Sequence, residues 1–270
     1  MKKFKKLFAA VLACLMVVSM VGCGSAADGS KMDQIKKNGK LVLGTASGYP
    51  PFEFVSIENN GNVIGIDVEL AKAVADKLGV ELVVRDMPFG ELVNALQMGD
   101  CDIVIAGMPE TEERALKVDF SNVYVNDEQT LIVRAEDADK YTSLADFNGK
   151  IVDAEMGASS ETVARDEITG ATVNALSLIA DCFTELANNK CDAVCTGMVV
   201  GKQYVVNNDK FAELSIKFVN KDKPTQACIA KGNPEFLELI NEVIKENQDN
   251  GNFAKWIDQY SAQAQKEAQQ

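Results

Sequence analysis

The side chains able to do chemistry constrain this chain first by what is missing. It has no histidine, so the usual proton shuttle near neutral pH and the commonest metal ligand are absent. There is no G-x-S-x-G, no G-x-x-x-x-G-K-[ST] and no C-x-x-C, which removes the serine-hydrolase, phosphate-loop and zinc patterns. No metal and no cofactor is expected. Beyond residue 23 the cysteines are Cys101, Cys182, Cys191, Cys195 and Cys228, an odd set that cannot all pair within one chain. Cys191 and Cys195 cannot bridge along a strand, where four residues span about 13 Å against the ~7 Å a disulfide allows between Cα atoms. They read as small buried apolar residues. Glu155, if it lies in an apolar cleft, could serve as acid or base; its plainer reading is a solvated acid at a strand end. Arg114 stands in an acidic stretch and, taken alone, reads as a surface ion pair with Glu110 or Glu113.

The N-terminus sets the compartment. Met1–Lys6 carries four lysines and no acid, and Leu7–Val21 is almost wholly apolar, the two regions of an export signal. Met20-Val21-Gly22-Cys23 resembles a bacterial lipobox, with Met where Leu is usual, so residues 1–22 are expected to be removed and Cys23 lipidated. Residues 23–37 read as a flexible tether. Without the signal the formal charge moves from 27 − 40 = −13 to 23 − 40 = −17, which argues against nucleic acid or anionic lipid as partner.

The elements that must position any site alternate strand and helix, as parallel sheets covered by helices require. Leu41–Thr45, Glu81–Arg85 and Asp102–Ala106 read as strands, and Asp67–Leu78 and Phe89–Met98 as helices. A second series comprises strands Ile151–Ala154, Ala171–Ala175 and Asp192–Thr196 with helices Ser160–Ile168 and Leu178–Asn188. At a constant offset of 90 the two series echo each other, pairing Leu96 with Leu186, Cys101 with Cys191, Asp102 with Asp192, Val104 with Val194, Gly107 with Gly197 and Met108 with Met198. The expectation is two similar α/β lobes whose strand ends face one cleft. Asn233-Pro234-Glu235 reads as a helix start with Asn as cap.

Several stretches, in order along the chain, carry a family resemblance: Gly48-Tyr49-Pro50-Pro51-Phe52-Glu53-Phe54, Gly65-Ile66-Asp67, Thr111-Glu112-Glu113-Arg114 with Asp119-Phe120-Ser121, Gly157-Ala158-Ser159-Ser160-Glu161, Asp192-Ala193-Val194 and Lys231-Gly232-Asn233-Pro234. Together they resemble the family 3, or polar amino acid, solute-binding proteins of ABC transporters. The resemblance implies a two-lobed, periplasmic-binding-protein-like (type II) clamshell of α/β lobes joined by a hinge. Lobe one is expected at 38–128 and 222–262, lobe two at 129–221 and a tail at 263–270, with Tyr124–Arg134 as a hinge strand. It also implies a monomer that captures a small carboxylate ligand, an amino acid or a relative of one, and hands it to permease subunits from a lipid-anchored position outside the cell membrane.

By the same resemblance Arg114 meets the ligand carboxylate. The chemistry is sound, since a guanidinium binds a carboxylate through two parallel hydrogen bonds and keeps its charge when desolvated. Tyr49 and Phe89 match the aromatic positions flanking the ligand side chain, Gly107 a backbone contact, and Ser159 with Ser160 the lobe-two positions closing on the carboxylate. Backbone N–H groups entering the helix after Gly157 would favour an anion there. Two departures stand out: Pro109 where relatives carry Ser or Thr, and Gly197 where amino-acid binders place an Asp for the ammonium. Glu155 is a candidate replacement for that Asp. The competing functions are an enzyme of the same fold, dehydratase-like, and a ligand-sensing module.

Overall fold

A computed structural model describes residues 30–269; the export signal, Cys23 and the first part of the expected tether, 23–29, lie outside the described residues. The strands, in chain order, are Lys40–Thr45 (β1), Phe54–Ser56 (β2), Asn62–Ile64 (β3), Glu81–Asp86 (β4), Ile103–Val104 (β5), Val118–Val125 (β6), Gln129–Arg134 (β7), Ile151–Glu155 (β8), Thr172–Leu176 (β9), Ala193–Gly197 (β10), Phe211–Glu213 (β11) and Thr225–Ala230 (β12). They form two five-stranded sheets, ordered β4-β1-β5-β12-β6 and β9-β8-β10-β7-β11, besides the β2-β3 hairpin. The central strands β1 and β10 are buried along nearly their whole length, as strands covered on both faces must be.

The two sheets are built alike. In each, four strands run in one direction and a single strand runs against them: β12 between β5 and β6 in one, β7 between β10 and β11 in the other. The offset of 90 places like residues in like roles. The Asp102 carboxylate accepts the Val42 N–H at 2.9 Å while the Asp102 N–H donates to the Val42 carbonyl at 2.8 Å. Asp192 does the same with Ile151, at 2.9 and 2.7 Å. Each Asp therefore fixes the start of its neighbouring strand. Leu96 and Leu186, on helices, Cys101 and Cys191, just before strands, and Val104 and Val194, on strands, are all buried.

Helix periodicity gives the cover. Ile66–Leu78 buries Leu70, Ala71, Val74 and Leu78 and ends on Gly79 at φ 73°, the left-handed stop that glycine adopts without steric cost. Asn233 precedes the helix Pro234–Asp249, but its side chain does not cap it; the amide donates to the carbonyls of Ala230 and Lys231. Pro234 still opens the first turn, where its missing N–H costs nothing.

Three expectations are corrected. Within the expected tether 23–37, residues from Lys31 belong to a helix, Lys31–Asn38, started by a reciprocal Ser30–Asp33 capping box and anchored by buried Ile35. The expected tail 263–270 lies largely within the helix Asn252–Ala268, in which Ala264 is buried. The Glu267 carboxylate there accepts from Ser56 Oγ at 2.6 Å and the Ile57 N–H at 2.8 Å. The expected hinge strand Tyr124–Arg134 is two strands, β6 and β7, broken at residues 126–128. That break lies beside the returning segment before β12: Glu128 bridges Asp222, the Gln129 N–H donates to the Lys221 carbonyl, and the Lys223 N–H donates to the Asp127 carbonyl. Two crossings thus run side by side between the sheets.

Candidate functional site

The strand ends of the two sheets meet at Tyr49. Gly107, at φ 51°, follows β5, and a methyl group there would lie 3.0 Å from Tyr49 Cε1. Its counterpart Gly197 ends β10 and donates its N–H to Tyr49 Oη at 3.3 Å. The tyrosine ring, buried, is therefore held between the two glycines paired in the sequence. Tyr204 closes the same seam by donating its hydroxyl to the Gly48 carbonyl at 2.8 Å.

Arg114 crosses the seam a short way off. Its guanidinium donates through Nη1 to the Pro109 carbonyl and through Nη2 to the Gly157 carbonyl of the other lobe, both at 2.7 Å. It also stands over the Phe89 ring, 5.2 Å from the centroid. Among the described residues it makes no ion pair: Glu113 pairs with Lys117 at 2.7 Å instead. The surface-pair reading therefore falls. Burial lowers the Arg114 pKa, as desolvation of a cation must. The guanidinium borders an open depression of about 460 Å³ whose walls include Thr111, Gly157, Ser159 and Thr162.

Ser159 and Ser160 open the helix Ser159–Glu167. Ser159 Oγ accepts from Gln129 Nε2 at 2.9 Å, and Ser160 is buried. The Gly157 N–H, just before the helix start expected to favour an anion, donates to Glu161 of the same helix at 2.8 Å.

Glu155 ends β8 and is 5% exposed. Burial raises its pKa to about 7, against the opposing pull of Lys223 and of the Ile179 N–H. It faces inward and is not a solvated acid.

Sequence reasoning missed four residues here, and all flank Gly197. Asp127, from the outgoing crossing, accepts the N–H groups of Glu128 and Val199 on Oδ1, while buried Oδ2 has no hydrogen-bond partner. Lys223, from the returning crossing, is 3% exposed; its Nζ donates to the Gly107 carbonyl at 2.8 Å and stands 5.0 Å from the centroid of the Tyr49 ring. Burial works against its charge, but Tyr49, Asp127 and Glu53 outweigh it and hold the ammonium above the ordinary lysine range. Thr196 Oγ1 and Gln129 Oε1 are buried without partners. A methyl group at Gly197 would overlap Asp127 Oδ2 and lie 2.7 Å from Tyr49 Oη and 3.3 Å from Lys223 Cδ. Behind them, burial and then repulsion from Asp67 push the Glu53 carboxyl well above the usual range, while burial takes Asp67 to about 6. Asp67 Oδ2 accepts the Gly107 N–H at 2.7 Å, which fixes the loop whose carbonyl Lys223 uses.

Residues 41–263 match the family model for bacterial extracellular solute-binding proteins, family 3. The chain belongs to that family. The family is one of extracellular proteins, which places the chain outside the cytoplasm, and no helix among the described residues is long and apolar enough to cross a membrane. Among family 3 relatives, the arginine-binding extracellular protein ArtP of Bacillus subtilis is 31% identical over 253 residues, covering 93% of this chain and 96% of the relative. The crystal structure of the amino acid ABC transporter substrate-binding protein AbpA from Streptococcus pneumoniae, bound to L-arginine, superimposes with a TM-score of 0.83 at 31% identity, covering 86% of this chain and 98% of that one. The ancestral amino acid-binding protein AncCDT-1, described as a precursor of cyclohexadienyl dehydratase, gives 0.79 at 33% identity, over 86% of this chain and 99% of its own. The two-lobed family 3 clamshell expected from the sequence is the fold observed.

Proposed function

We propose that this protein is the capture subunit of an ABC-type importer, taking a small carboxylate, an amino acid or a close chemical relative, between its lobes. The observation that carries the reading is Arg114: a partly buried guanidinium at the lobe seam, without an acidic partner, is a cation placed to receive an anion. Ser159 and Ser160 lie on the facing lobe, and the names of the relatives point to amino acids. Binding proceeds by hinge closure, in which ligand on lobe one is covered by lobe two because only the closed form makes both sets of contacts. We assign Tyr49, Phe89 and Gly107 to the lobe-one side of this site, Phe89 on its stacking with Arg114 and Tyr49 and Gly107 by their family positions. Lipidation at Cys23 would hold a monomer at the outer face of the membrane, beside its permease.

Arg114→Ala tests this. It should weaken carboxylate binding by about 2–5 kcal/mol in calorimetry, the cost of truncating one partner of a buried charge pair, with circular dichroism unchanged. Affinity retained within about threefold would remove Arg114 from the site.

Glu155 supports one second reading. A buried carboxyl with a pKa of about 7 suits general acid-base work, so a dehydratase-like activity is the alternative, tested by turnover of cyclohexadienyl acids.

A further inference from the structure

Among the contacts across the lobe seam, those made by the helix Met198–Asn207 share no residue with the depression beside Arg114. Gln203, 6% exposed, uses both amide donors: Nε2 gives one N–H to Asn207 Oδ1 on its own helix at 2.9 Å and one to the Ser261 carbonyl at 3.1 Å. Ser261 lies in the last helix, Asn252–Ala268. That helix is fastened to lobe one on both sides of Ser261: Tyr260 donates its hydroxyl to Glu69 Oε1 at 2.6 Å, and Glu267 holds Ser56 and the Ile57 N–H. Phe253, at its start, stacks on Tyr124 of β6 with 5.8 Å between centroids. One residue on from Gln203, the Tyr204 ring lies flat on Phe183 of its own lobe, 3.6 Å between centroids and 4° between planes. The stack presents the Tyr204 hydroxyl to the Gly48 carbonyl, 2.8 Å away on lobe one.

Two features make this contact one that can be released and remade. Every donor and acceptor in it belongs to the chain, so it does not depend on a ligand in the cleft. It is also flanked by solvent: an open groove of about 450 Å³ runs beside it, walled by Leu178, Ala180 and Tyr204 on one lobe and by Pro50, Val55 and Ala264 on the other. Water can therefore take over each hydrogen bond as the lobes part. A neutral hydrogen bond exchanged with water in this way still favours the bonded state about fivefold, and two together about tenfold or more. We propose that the last helix and the Gly48 loop form a strap that grips the helix Met198–Asn207 through Gln203 and Tyr204 and holds lobe two in the closed arrangement. The strap gives the unliganded protein a closed population, and so a share in ligand affinity, through residues outside the cleft. This rests on the hinge-closure reading and adds to it a contribution that the ligand does not make.

The experiment measures distances between spin labels on Gln97→Cys and Asp166→Cys, exposed positions on lobe one and lobe two, first with no ligand added. The chain with its strap intact should show mainly the short, closed distance. Gln203→Met and Tyr204→Phe should each raise the open-to-closed ratio about fivefold, and the two together about tenfold or more, with circular dichroism unchanged. Should the pair fail to fold, Tyr204→Phe, which removes one oxygen and keeps the ring stack, decides the matter alone. L-arginine, used as the probe ligand, should restore the closed distance in every variant, with an apparent affinity that falls in proportion to the closed fraction. A distance distribution unchanged by both single variants would overturn the strap and make the contact a permanent part of the hinge. A mainly open distance in the chain with its strap intact would overturn it equally. Failure of arginine to close any of the proteins would count against arginine capture alone, since the distances measured without it decide the strap.

Discussion

Replacing Glu155 by Gln isolates one buried charge and its dependence on pH. The side chain is 5% exposed, and burial carries its pKa from an ordinary 4.5 to about 7. A folded-state value above the unfolded one means that the protonated carboxyl is the form the fold prefers. Its stability contribution is complete below about pH 4.5 and is lost as pH rises through about 7. The interval, at about 1.4 kcal/mol per pH unit, amounts to about 3 kcal/mol by pH 8. Glutamine keeps the shape and cannot ionise, so Glu155→Gln should gain on the wild type by up to about 3 kcal/mol between pH 4.5 and 8.5. Urea unfolding of both proteins at half-unit steps measures this. Taking the difference matters, because Glu53, Asp67 and Asp127 are also raised and bend both curves alike. A difference that stays flat across the range would mean that Glu155 is solvated in the folded protein, and the reasoning about its environment would be wrong. If Glu155 acts instead as the ligand's cation partner, the same variant loses at least ~1.4 kcal/mol, or tenfold, for an amino acid but not for its deaminated analogue.

Cys23→Ala should release the protein into the medium or leave it unprocessed, since no helix among the described residues can span a membrane; a mutant that stays membrane-bound after signal cleavage, seen by cell fractionation, would refute the lipid anchor. Gly197→Ala should cost about 1–3 kcal/mol in urea unfolding, the usual penalty of overpacking. The backbone there, at φ −65°, suits any residue, so the loss would report the overlap with Asp127 and Tyr49, and unchanged stability would mean that both side chains yield freely.

The fold was legible because periodicity and repetition are local properties. The apolar face of Ile66–Leu78 and the twin Asp102 and Asp192 follow from spacing alone, and both recur in the structure as expected. Arg114 could be singled out only within an ordered series of motifs, since one Arg among acids is unremarkable on a surface. The inner charges were not legible. Asp127 in Asn-Asp-Glu and Lys223 in Lys-Asp-Lys-Pro look like the polar loops of any acidic protein; only the pairing of the two crossings, which depends on residues about a hundred positions apart, buries them. The tail failed for a similar reason. Gln263, Glu267 and the lysine between them read as solvent-facing, yet the Glu267 carboxylate is tied to Ser56 and Ile57 across the length of the chain.

The five thiols of the described residues are all free and buried, Cys101 and Cys228 in one sheet and Cys182, Cys191 and Cys195 about the other. Their protection makes them silent clocks. A thiol reagent added to the native protein can react only as fast as each region opens, so the order of labelling, read by mass, reports which lobe loosens first. Two rapid additions followed by three slow ones, or the reverse, would separate the lobes' individual stabilities without any engineered probe, and simultaneous addition of all five would mean that the clamshell unfolds as one body.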